Sequence, residues 1–541
     1  MVEKETKGKF FYPALIFAIW FICYLICTMF WEQKIYWDET SYLATARGIA
    51  ENFDFSSRFN TVLGILKYGY PQNTHHYPLY STYVAIFFKL FGASLHVAYF
   101  STWLSGLVAC IFIYLIMLIM TEQNRLYSFL TAIAFLFLPR VLNYCDTAMM
   151  EIPCCALLSI FIYFIFKDLA KGKLNPFLLG IASIWLYFFK SLFFGIIIGF
   201  IFLILVTNKS RISKLLDMVF YLGTTFVIYF IFTKFIFLPL APMMNFEKKQ
   251  EELGTYADFL GGFFSDIPGN LTYNLKGFIA NVVLKYLPGY SAELPPNNEG
   301  FFVATPNWIE FYLFFLFLFY VILFTLIVWK QIFSYQRTFI LFSIISIVSF
   351  NLIFNLLVNT YTGIRCRFNM IYLPLLLIAC AVLFKLALNY IKSFVMEHRI
   401  GSILIVLSLL LFVYFPYYVS TVKVAQWNKN YYYNMAHINS EIVKKIIGDS
   451  KPAIIFFNTG THTSWDSFPT RVIVQEATTG ELKTLNLKLP QPVEYLFLQP
   501  NNRLFKENQD LILEAKPIID NTYNFYGFDE ANKVVVYRLN K

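Results

Sequence analysis

Two adjacent carboxylates are the residues in this sequence best suited to catalysis. Asp38 and Glu39 lie in the run YWDETSY at positions 36–42, just beyond the first apolar stretch. A carboxylate can accept the proton of a hydroxyl while that hydroxyl attacks an anomeric carbon, and a second acid can orient the base or hold a cation. A structural interpretation stands beside this one, since Asp38 or Thr40 can cap the helix that follows. Tyr42 completes the run as a supporting residue or an interfacial aromatic side chain.

Two more carboxylates occur in the run NYCDTAMMEIP at positions 143–153. Asp146 is interpreted as a functional residue that binds the acceptor hydroxyl compound or supports the catalytic residues. Glu151 precedes Pro153 at an expected helix start, where a carboxylate suits the helix dipole and proline suits the first turn. For Glu151, a supporting role and a purely structural role are both left open.

Cationic side chains are expected near the same carboxylates. Lys190 lies between two short apolar runs, where a buried ammonium needs an anionic partner. Arg365 and Arg367 occur in GIRCRF, and His75 and His76 precede Tyr77-Pro78. If the group that leaves the anomeric carbon is a phosphate, it departs as an oxyanion. Lysine, arginine and histidine side chains can neutralise the negative charge that grows on it. Arg365 and Arg367 can equally be interfacial anchors. His75 is interpreted as an acceptor-binding or supporting residue, or as a hydrated loop residue.

A metal ion is left open by this set of residues. Asp38, Glu39 and Asp146 could hold a hard divalent cation such as Mg²⁺ or Mn²⁺ with water ligands. Their spacing does not demand one, because the cationic residues could bind a phosphate unaided. The eight cysteines show neither zinc-ligand nor secreted-disulfide spacing.

The composition predicts that these residues are held by membrane helices. Of 541 residues, 58% are hydrophobic, 20% are aromatic and only 14% are charged. Lipid offers no hydrogen-bond partners, so apolar runs long enough to cross it must form helices. The net charge of +10 is concentrated in short links, as the positive-inside rule predicts, and no basic stripe on a soluble stretch indicates nucleic-acid binding.

The hydropathy pattern predicts a polytopic all-α membrane domain, residues 1–420, with about eleven spans and a cytoplasmic N-terminus. The expected spans are 12–30, 97–120, 126–143, 152–167, 176–189, 191–206, 214–237, 309–329, 338–358, 368–390 and 400–420. A long outer loop from Trp31 to Leu95 is expected to contain an amphipathic juxtamembrane helix, Ser41–Phe53, on the membrane surface. A second outer loop is expected at Met243–Asn307.

A small extracytoplasmic α/β domain is expected over residues 421–541. Its sequence predicts one helix, Tyr433–Ile447. It also predicts four strands, at Ala453–Phe457, Arg471–Gln475, Tyr495–Gln499 and Lys533–Leu539. An odd number of spans would place this domain on the outer side, together with the Asp38 loop.

The chain resembles the GT-C glycosyltransferases of the protein O-mannosyltransferase and aminoarabinose-transferase type, in glycosyltransferase family 39. The resemblance rests on the Asp-Glu pair, the His75-x-x-Pro78-Leu-Tyr80 element before Leu90-Phe91-Gly92, the outer Asp146 with its Met-Glu-x-Pro sequel, Lys190, and Arg365-x-Arg367-Phe. It implies that Asp38 is the catalytic carboxylate with Glu39 as its neighbour. It also implies that His76 and Lys190 bind the phosphate of a polyprenyl carrier. Where the aminoarabinose branch has arginine, this chain has Ser41, and His76-Tyr77 replaces Lys-Pro.

These observations predict transfer of a sugar from a polyprenyl-phosphate donor to a lipid, glycan or protein acceptor on the non-cytoplasmic face. The expected location is a bacterial inner membrane, with the active site facing the periplasm or the exterior. The rival interpretation is a flippase or transporter of a lipid-linked sugar. Such a protein should show polar or broken helices near the bilayer centre, and the expected spans are nearly uncharged there. An O-antigen ligase or polymerase would act on the same face but would not explain the Asp-Glu pair.

Overall fold

The computed structural model describes sixteen stretches of the chain, and all structural statements below concern these residues. They are residues 2–30, 37–53, 55, 59–60, 79–190, 193–207, 210–237, 326, 333–352, 370–395, 453–457, 473–474, 493–498, 516–517, 519–529 and 534–540.

Helices dominate this part of the chain. They are α1 (Val2–Phe30), α2 (Trp37–Asn52), α3 (Leu79–Phe91), α4 (Leu95–Met120), α5 (Arg125–Leu136), α6 (Pro139–Cys145), α7 (Glu151–Leu169), α8 (Pro176–Phe189), α9 (Phe194–Val206), α10 (Arg211–Ile231), α11 (Ser334–Leu352) and α12 (Leu373–Val395). A π-helical turn, Phe232–Phe237, continues α10.

Apolar length alone explains why most of these segments are helical. Among the described residues, four helices are long and apolar enough to cross a membrane: Phe10–Met29, Leu95–Met120, Glu151–Leu169 and Arg211–Phe235. Six shorter apolar helices accompany them. The prediction of a polytopic helical membrane protein is confirmed. The expected spans 309–329 (apart from Leu326) and 400–420, the loop Met243–Asn307, the helix Tyr433–Ile447 and the boundary at 421 lie outside the described residues.

Two local predictions are corrected. The expected span 126–143 is two helices, because Pro139 disfavours helical backbone at Leu138 and begins α6 at its first turn. The expected loop up to Leu95 contains an additional helix, α3. The side chains of Tyr80, Val84 and Phe88 repeat at helical spacing and are buried, which explains why this segment folds as it does.

The amphipathic helix expected at Ser41–Phe53 exists as α2 with slightly different bounds. It packs against α3 and buries Leu43, Ala46 and Ile49. The Lys89 ammonium of α3 donates to the Ala50 carbonyl oxygen near the end of α2 (3.3 Å). Helix α2 is therefore supported by the membrane helices along one whole face.

Helix α4 lies at the centre of the packing, between α7, α5 and α1. Its last carbonyl groups accept hydrogen bonds from other helices: the Gln336 amide donates to Met120 O (2.5 Å) and the Lys385 ammonium to Thr121 O (2.7 Å). The end of a helix leaves such carbonyls without intrahelical partners, so these contacts satisfy them. Thr102, near the other end of α4, lies roughly 27 Å along the helix axis from Met120, at a rise of about 1.5 Å per residue.

The strands form one six-stranded sheet. They are β1 (Phe59–Asn60), β2 (Ala453–Phe457), β3 (Ile473–Val474), β4 (Val493–Leu498), β5 (Tyr523–Asp529) and β6 (Val534–Leu539). The order is β1-β3-β2-β4-β6-β5, with parallel pairing from β1 to β4 and antiparallel pairing of β6 with both β4 and β5. The four expected strands are confirmed near their predicted bounds.

Two strands were missed, β5 and β1. The second is the more informative, since β1 belongs to the loop that follows α2 rather than to the C-terminal part of the chain. Phe59 and Asn60 pair with Ile473 and Val474. The first loop therefore forms one edge of the C-terminal sheet.

Candidate functional site

Glu39 is buried at the start of α2 and reaches a distant part of the chain. Its side chain is fully shielded from solvent, and Oε1 accepts a hydrogen bond from the Ala148 backbone N–H (2.8 Å). Ala148 lies in the buried turn between α6 and α7, which also contains Asp146 and Thr147. A carboxylate in the first turn of a helix is also favoured by the helix dipole. Glu39 thus joins the Asp-Glu helix to the second predicted acidic segment.

Lys190 and Glu151 form a buried ion pair. Glu151 is the first residue of α7, and Lys190 follows the last residue of α8 with an extended backbone. The Lys190 Nζ donates to Glu151 Oε1 at 2.8 Å, and their side chains are only 5% and 1% exposed. Lys190 therefore has an anionic partner within the protein itself, whereas the sequence resemblance assigned it to the carrier phosphate. Pairing offsets the large cost of removing each charge from water.

The second oxygen of the Glu151 carboxylate lacks the hydrogen bond that the first oxygen has. Glu151 Oε2 is buried and has no hydrogen-bond partner among the described residues. The Tyr80 hydroxyl on α3 shares both properties. Tyr80 also packs on Phe189, the residue directly before Lys190, so its ring lies near the ion pair.

Aromatic rings enclose this polar group. Tyr80 meets Tyr42 edge to face, with ring centroids 5.2 Å apart, and Phe189 at 5.8 Å. All three rings are buried. Rings of this kind exclude water, and charges interact more strongly where water is excluded.

The remaining predicted residues differ in what the structure describes. The backbone of Asp38 lies in the first turn of α2 beside Glu39, and its side chain is outside the described part. Asp146 is buried at the end of α6, close to the Ala148 amide that Glu39 binds. His75, His76, Arg365 and Arg367 lie outside the described residues.

The structure therefore brings together Glu39, Tyr42, Glu151 and Lys190 from three separate segments. Tyr80 is a site residue that is not predicted from the sequence, although it belongs to the His-x-x-Pro-Leu-Tyr element. Within the described ranges, no three His, Cys, Asp or Glu side chains are close enough together to hold a metal ion.

Comparison with known proteins supports the motif-based assignment. The sequence profile of the dolichyl-phosphate-mannose-protein mannosyltransferase family matches residues 75–237, which include Tyr80, Glu151 and Lys190. No curated protein sequence matches the chain significantly.

Among solved structures, the fold is similar to that of ArnT from Cupriavidus metallidurans, which was crystallised bound to undecaprenyl phosphate. The two structures align over 98% of both chains with a TM-score of 0.51 and 12% sequence identity. This confirms the resemblance inferred from the motifs. The chain has the GT-C fold of membrane glycosyltransferases, and its residues 75–237 carry the sequence pattern of the dolichyl-phosphate-mannose-protein mannosyltransferase family.

Proposed function

We propose that this protein transfers a sugar from a polyprenyl-phosphate carrier to an acceptor hydroxyl at the non-cytoplasmic face of the membrane. The observation that carries the proposal is the buried group formed by Glu39, Glu151 and Lys190. Buried charges are costly within a membrane protein and occur where function requires them. They lie beside the helix that contains Asp38, within or next to the segment that matches the mannosyltransferase profile.

In this mechanism Asp38 is the catalytic carboxylate. Its oxygen accepts the proton of the acceptor hydroxyl while the hydroxyl oxygen forms a bond to the anomeric carbon. The bond between that carbon and the phosphate oxygen breaks, and its electron pair leaves on the polyprenyl phosphate. The products are the glycosylated acceptor and the carrier phosphate, and Asp38 later releases its proton to water.

Cationic side chains stabilise the leaving phosphate. Lys190 is already held in place by Glu151, and its ammonium carries three N–H donors. His76, Arg365 and Arg367 are proposed to complete the phosphate site. Charge-assisted hydrogen bonds from such groups are about twice as strong as neutral ones.

Glu39 supports Asp38 indirectly. Adjacent residues on a helix point about 100° apart, so the two carboxylates cannot both face one anomeric carbon. Because Glu39 is engaged with the Ala148 amide, it fixes the start of α2 and leaves the direct role to Asp38.

Asp38→Asn tests the proposal. Asparagine retains the shape and the capping ability of aspartate but not its basicity, and general-base assistance contributes about 10²- to 10⁴-fold. In proteoliposomes that contain undecaprenyl phosphate mannose, we expect kcat for sugar transfer to fall at least about a hundredfold while the melting temperature stays unchanged. The acceptor is supplied as an extract of membrane lipids, glycans and proteins.

Glu51→Gln is the matched control. Glu51 lies at the other end of α2, where its carboxylate pairs with Arg47 on an exposed surface (2.6 Å). Its replacement should leave transfer unaltered, because exposed pairs contribute little. Near-normal turnover of Asp38→Asn would contradict the catalytic role. Movement of the intact donor across the bilayer without bond cleavage would instead favour a flippase.

A further inference from the structure

Two buried polar atoms at the site lack the partners that buried polar atoms usually have. Glu151 Oε2 and the Tyr80 hydroxyl are sealed from solvent, and neither has a hydrogen-bond partner among the described residues. Leaving such atoms unsatisfied costs free energy, so they mark places where a ligand supplies the missing partner. Neither atom is needed for the Lys190 contact, which uses Glu151 Oε1.

The two atoms belong to one place in the fold. Tyr80 lies under the electrostatic influence of Glu151, and its ring packs on Phe189, the residue before Lys190. The Thr102 hydroxyl lies within hydrogen-bonding reach of the Tyr80 hydroxyl and also donates to the Ala98 carbonyl oxygen of its own helix (3.5 Å), so Glu151 Oε2 is the atom that most clearly lacks a partner. Glu151 Oε2 therefore offers an acceptor on the carboxylate that binds the Lys190 ammonium, and Tyr80 offers a donor or acceptor on the ring that packs on Phe189.

Glu151, Tyr80 and Lys190 interact differently with the phosphate and with the sugar of the donor. A phosphate is repelled by the Glu151 carboxylate and is attracted by Lys190. A sugar hydroxyl can donate to Glu151 Oε2 and can also exchange a hydrogen bond with Tyr80. In the donor the sugar is bonded directly to the phosphate, so a phosphate at Lys190 places the sugar beside both atoms.

We infer that Glu151 and Tyr80 bind hydroxyl groups of the donor sugar and so determine the preference of the enzyme for a sugar-bearing carrier. The inference rests on the proposed function and deepens it. To reach the two buried atoms, the donor must displace the side chains that cover them. Once bound, it gains hydrogen bonds that are strong because water is excluded.

Glu151→Gln is the informative variant. Glutamine keeps the oxygen that accepts from Lys190 but replaces the second carboxylate oxygen by an amide NH₂, which donates instead of accepting. Tyr80→Phe removes only the hydroxyl and keeps the ring contacts with Tyr42 and Phe189. Both are made in the full-length protein in detergent, and melting temperatures verify that each variant folds.

The readout is the sugar preference, defined as the Kd of undecaprenyl phosphate divided by the Kd of undecaprenyl phosphate carrying mannose or glucose, whichever binds more tightly. For the wild type we expect a preference of at least about tenfold, the size of one hydrogen bond to a charged group. In Glu151→Gln and in Tyr80→Phe the preference should fall toward one. The Kd of undecaprenyl phosphate itself should stay within about twofold of the wild-type value in Tyr80→Phe, and it should not rise in Glu151→Gln, which removes a carboxylate that repels the phosphate.

Tyr83→Phe is the matched control on the same helix. The Tyr83 hydroxyl is fully engaged with Ser101 O and Ser105 Oγ, both at 2.8 Å, so its loss should leave the preference intact. A retained preference in Glu151→Gln and Tyr80→Phe, or a wild-type preference of one, would overturn the inference. Equal weakening of carrier and donor by Glu151→Gln would also overturn it, because Glu151 would then act through Lys190. A wild type that does not bind undecaprenyl phosphate would instead contradict the proposed function.

Discussion

At the scale of single residues, the Lys190–Glu151 pair determines the cost of burying charge at the site. A buried ion pair by itself contributes little net stability, because desolvation offsets the attraction between the charges. Removing one partner is far more costly, since it leaves the other charge buried alone. The pair therefore fixes the Lys190 side chain at the end of α8, where we propose that the carrier phosphate binds.

A paired substitution separates this structural role from phosphate binding. Lys190→Met alone should destabilise the protein by about 3–5 kcal/mol, whereas Lys190→Met with Glu151→Met should restore the melting temperature to near the wild-type value. Both variants should bind undecaprenyl phosphate at least about tenfold more weakly, because the charge-assisted contact is lost. Thermal denaturation and equilibrium binding in detergent measure the two effects.

The double variant gives the decisive comparison. Glu151→Gln serves as its control for binding, since it removes the Glu151 charge but retains Lys190 and an acceptor oxygen for the ammonium, and its melting temperature measures the cost of leaving the Lys190 charge unpaired. Wild-type affinity of the stable double variant for undecaprenyl phosphate would show that the pair is structural only.

At the scale of elements, close helix packing holds α8 and α9 on either side of Lys190. Gly195 and Gly199 on α9 face α11, where an added Cβ would overlap Ser346 and Phe342. Glycines spaced by four residues let two helix backbones approach closely. This contact fixes the helix that begins just after the site, and so it positions Lys190 indirectly.

Gly199→Ala should therefore destabilise the protein. The new methyl group would collide with the Ser346 hydroxyl and the Phe342 ring, and overpacking of this kind costs about 1–3 kcal/mol. We expect a lower melting temperature in detergent. Gly223→Ala is the control, because nothing lies within 4 Å of a Cβ at Gly223 in α10. It should be neutral or slightly stabilising, since alanine favours helices. A stable Gly199→Ala protein would mean that α9 and α11 are less closely packed than the structure indicates.

At the scale of the whole molecule, strand β1 connects the Asp-Glu helix to the C-terminal sheet. Only residues 53–58 separate the end of α2 from β1. Val536 of β6 belongs to the same continuous cluster of buried side chains as the membrane helices. The C-terminal sheet is thus in a position to stabilise the loop that follows α2, and strands that pair must lie on the same side of the membrane.

A disulfide tests this connection. Phe59 and Ile473 are paired across neighbouring parallel strands, and paired Cα atoms lie within the usual range for disulfides. Oxidation of Phe59→Cys with Ile473→Cys should link the two parts of the chain. A protease site engineered between residues 395 and 453 makes the link visible as two fragments that separate only after reduction.

The control places the second cysteine at Phe525 on β5. This strand forms the opposite edge of the sheet, so Phe59→Cys with Phe525→Cys should not form a link. Linking of the control pair, or absence of linking at Ile473, would contradict the pairing of β1 with β3.

The sequence by itself determined the helical membrane class, most of the described helices and four of the six strands. These features depend on local properties: the length of an apolar run, the alternation of side chains in a strand, or a basic link between spans. The break at Pro139 was local as well and was overlooked. The sequence also indicated that Lys190 needs an anionic partner, because a buried ammonium without one is too costly.

Only the tertiary structure decided which residues meet. Lys190 finds Glu151, which is 39 positions away, and Glu39 finds the Ala148 amide, which is 109 positions away. Strand β1 is two residues long and has no signal of its own, so its pairing depends on a partner more than 400 positions away. The unsatisfied atoms of Tyr80 and Glu151 likewise become visible only when the chain is folded, because burial and missing partners are properties of the surroundings rather than of the residue.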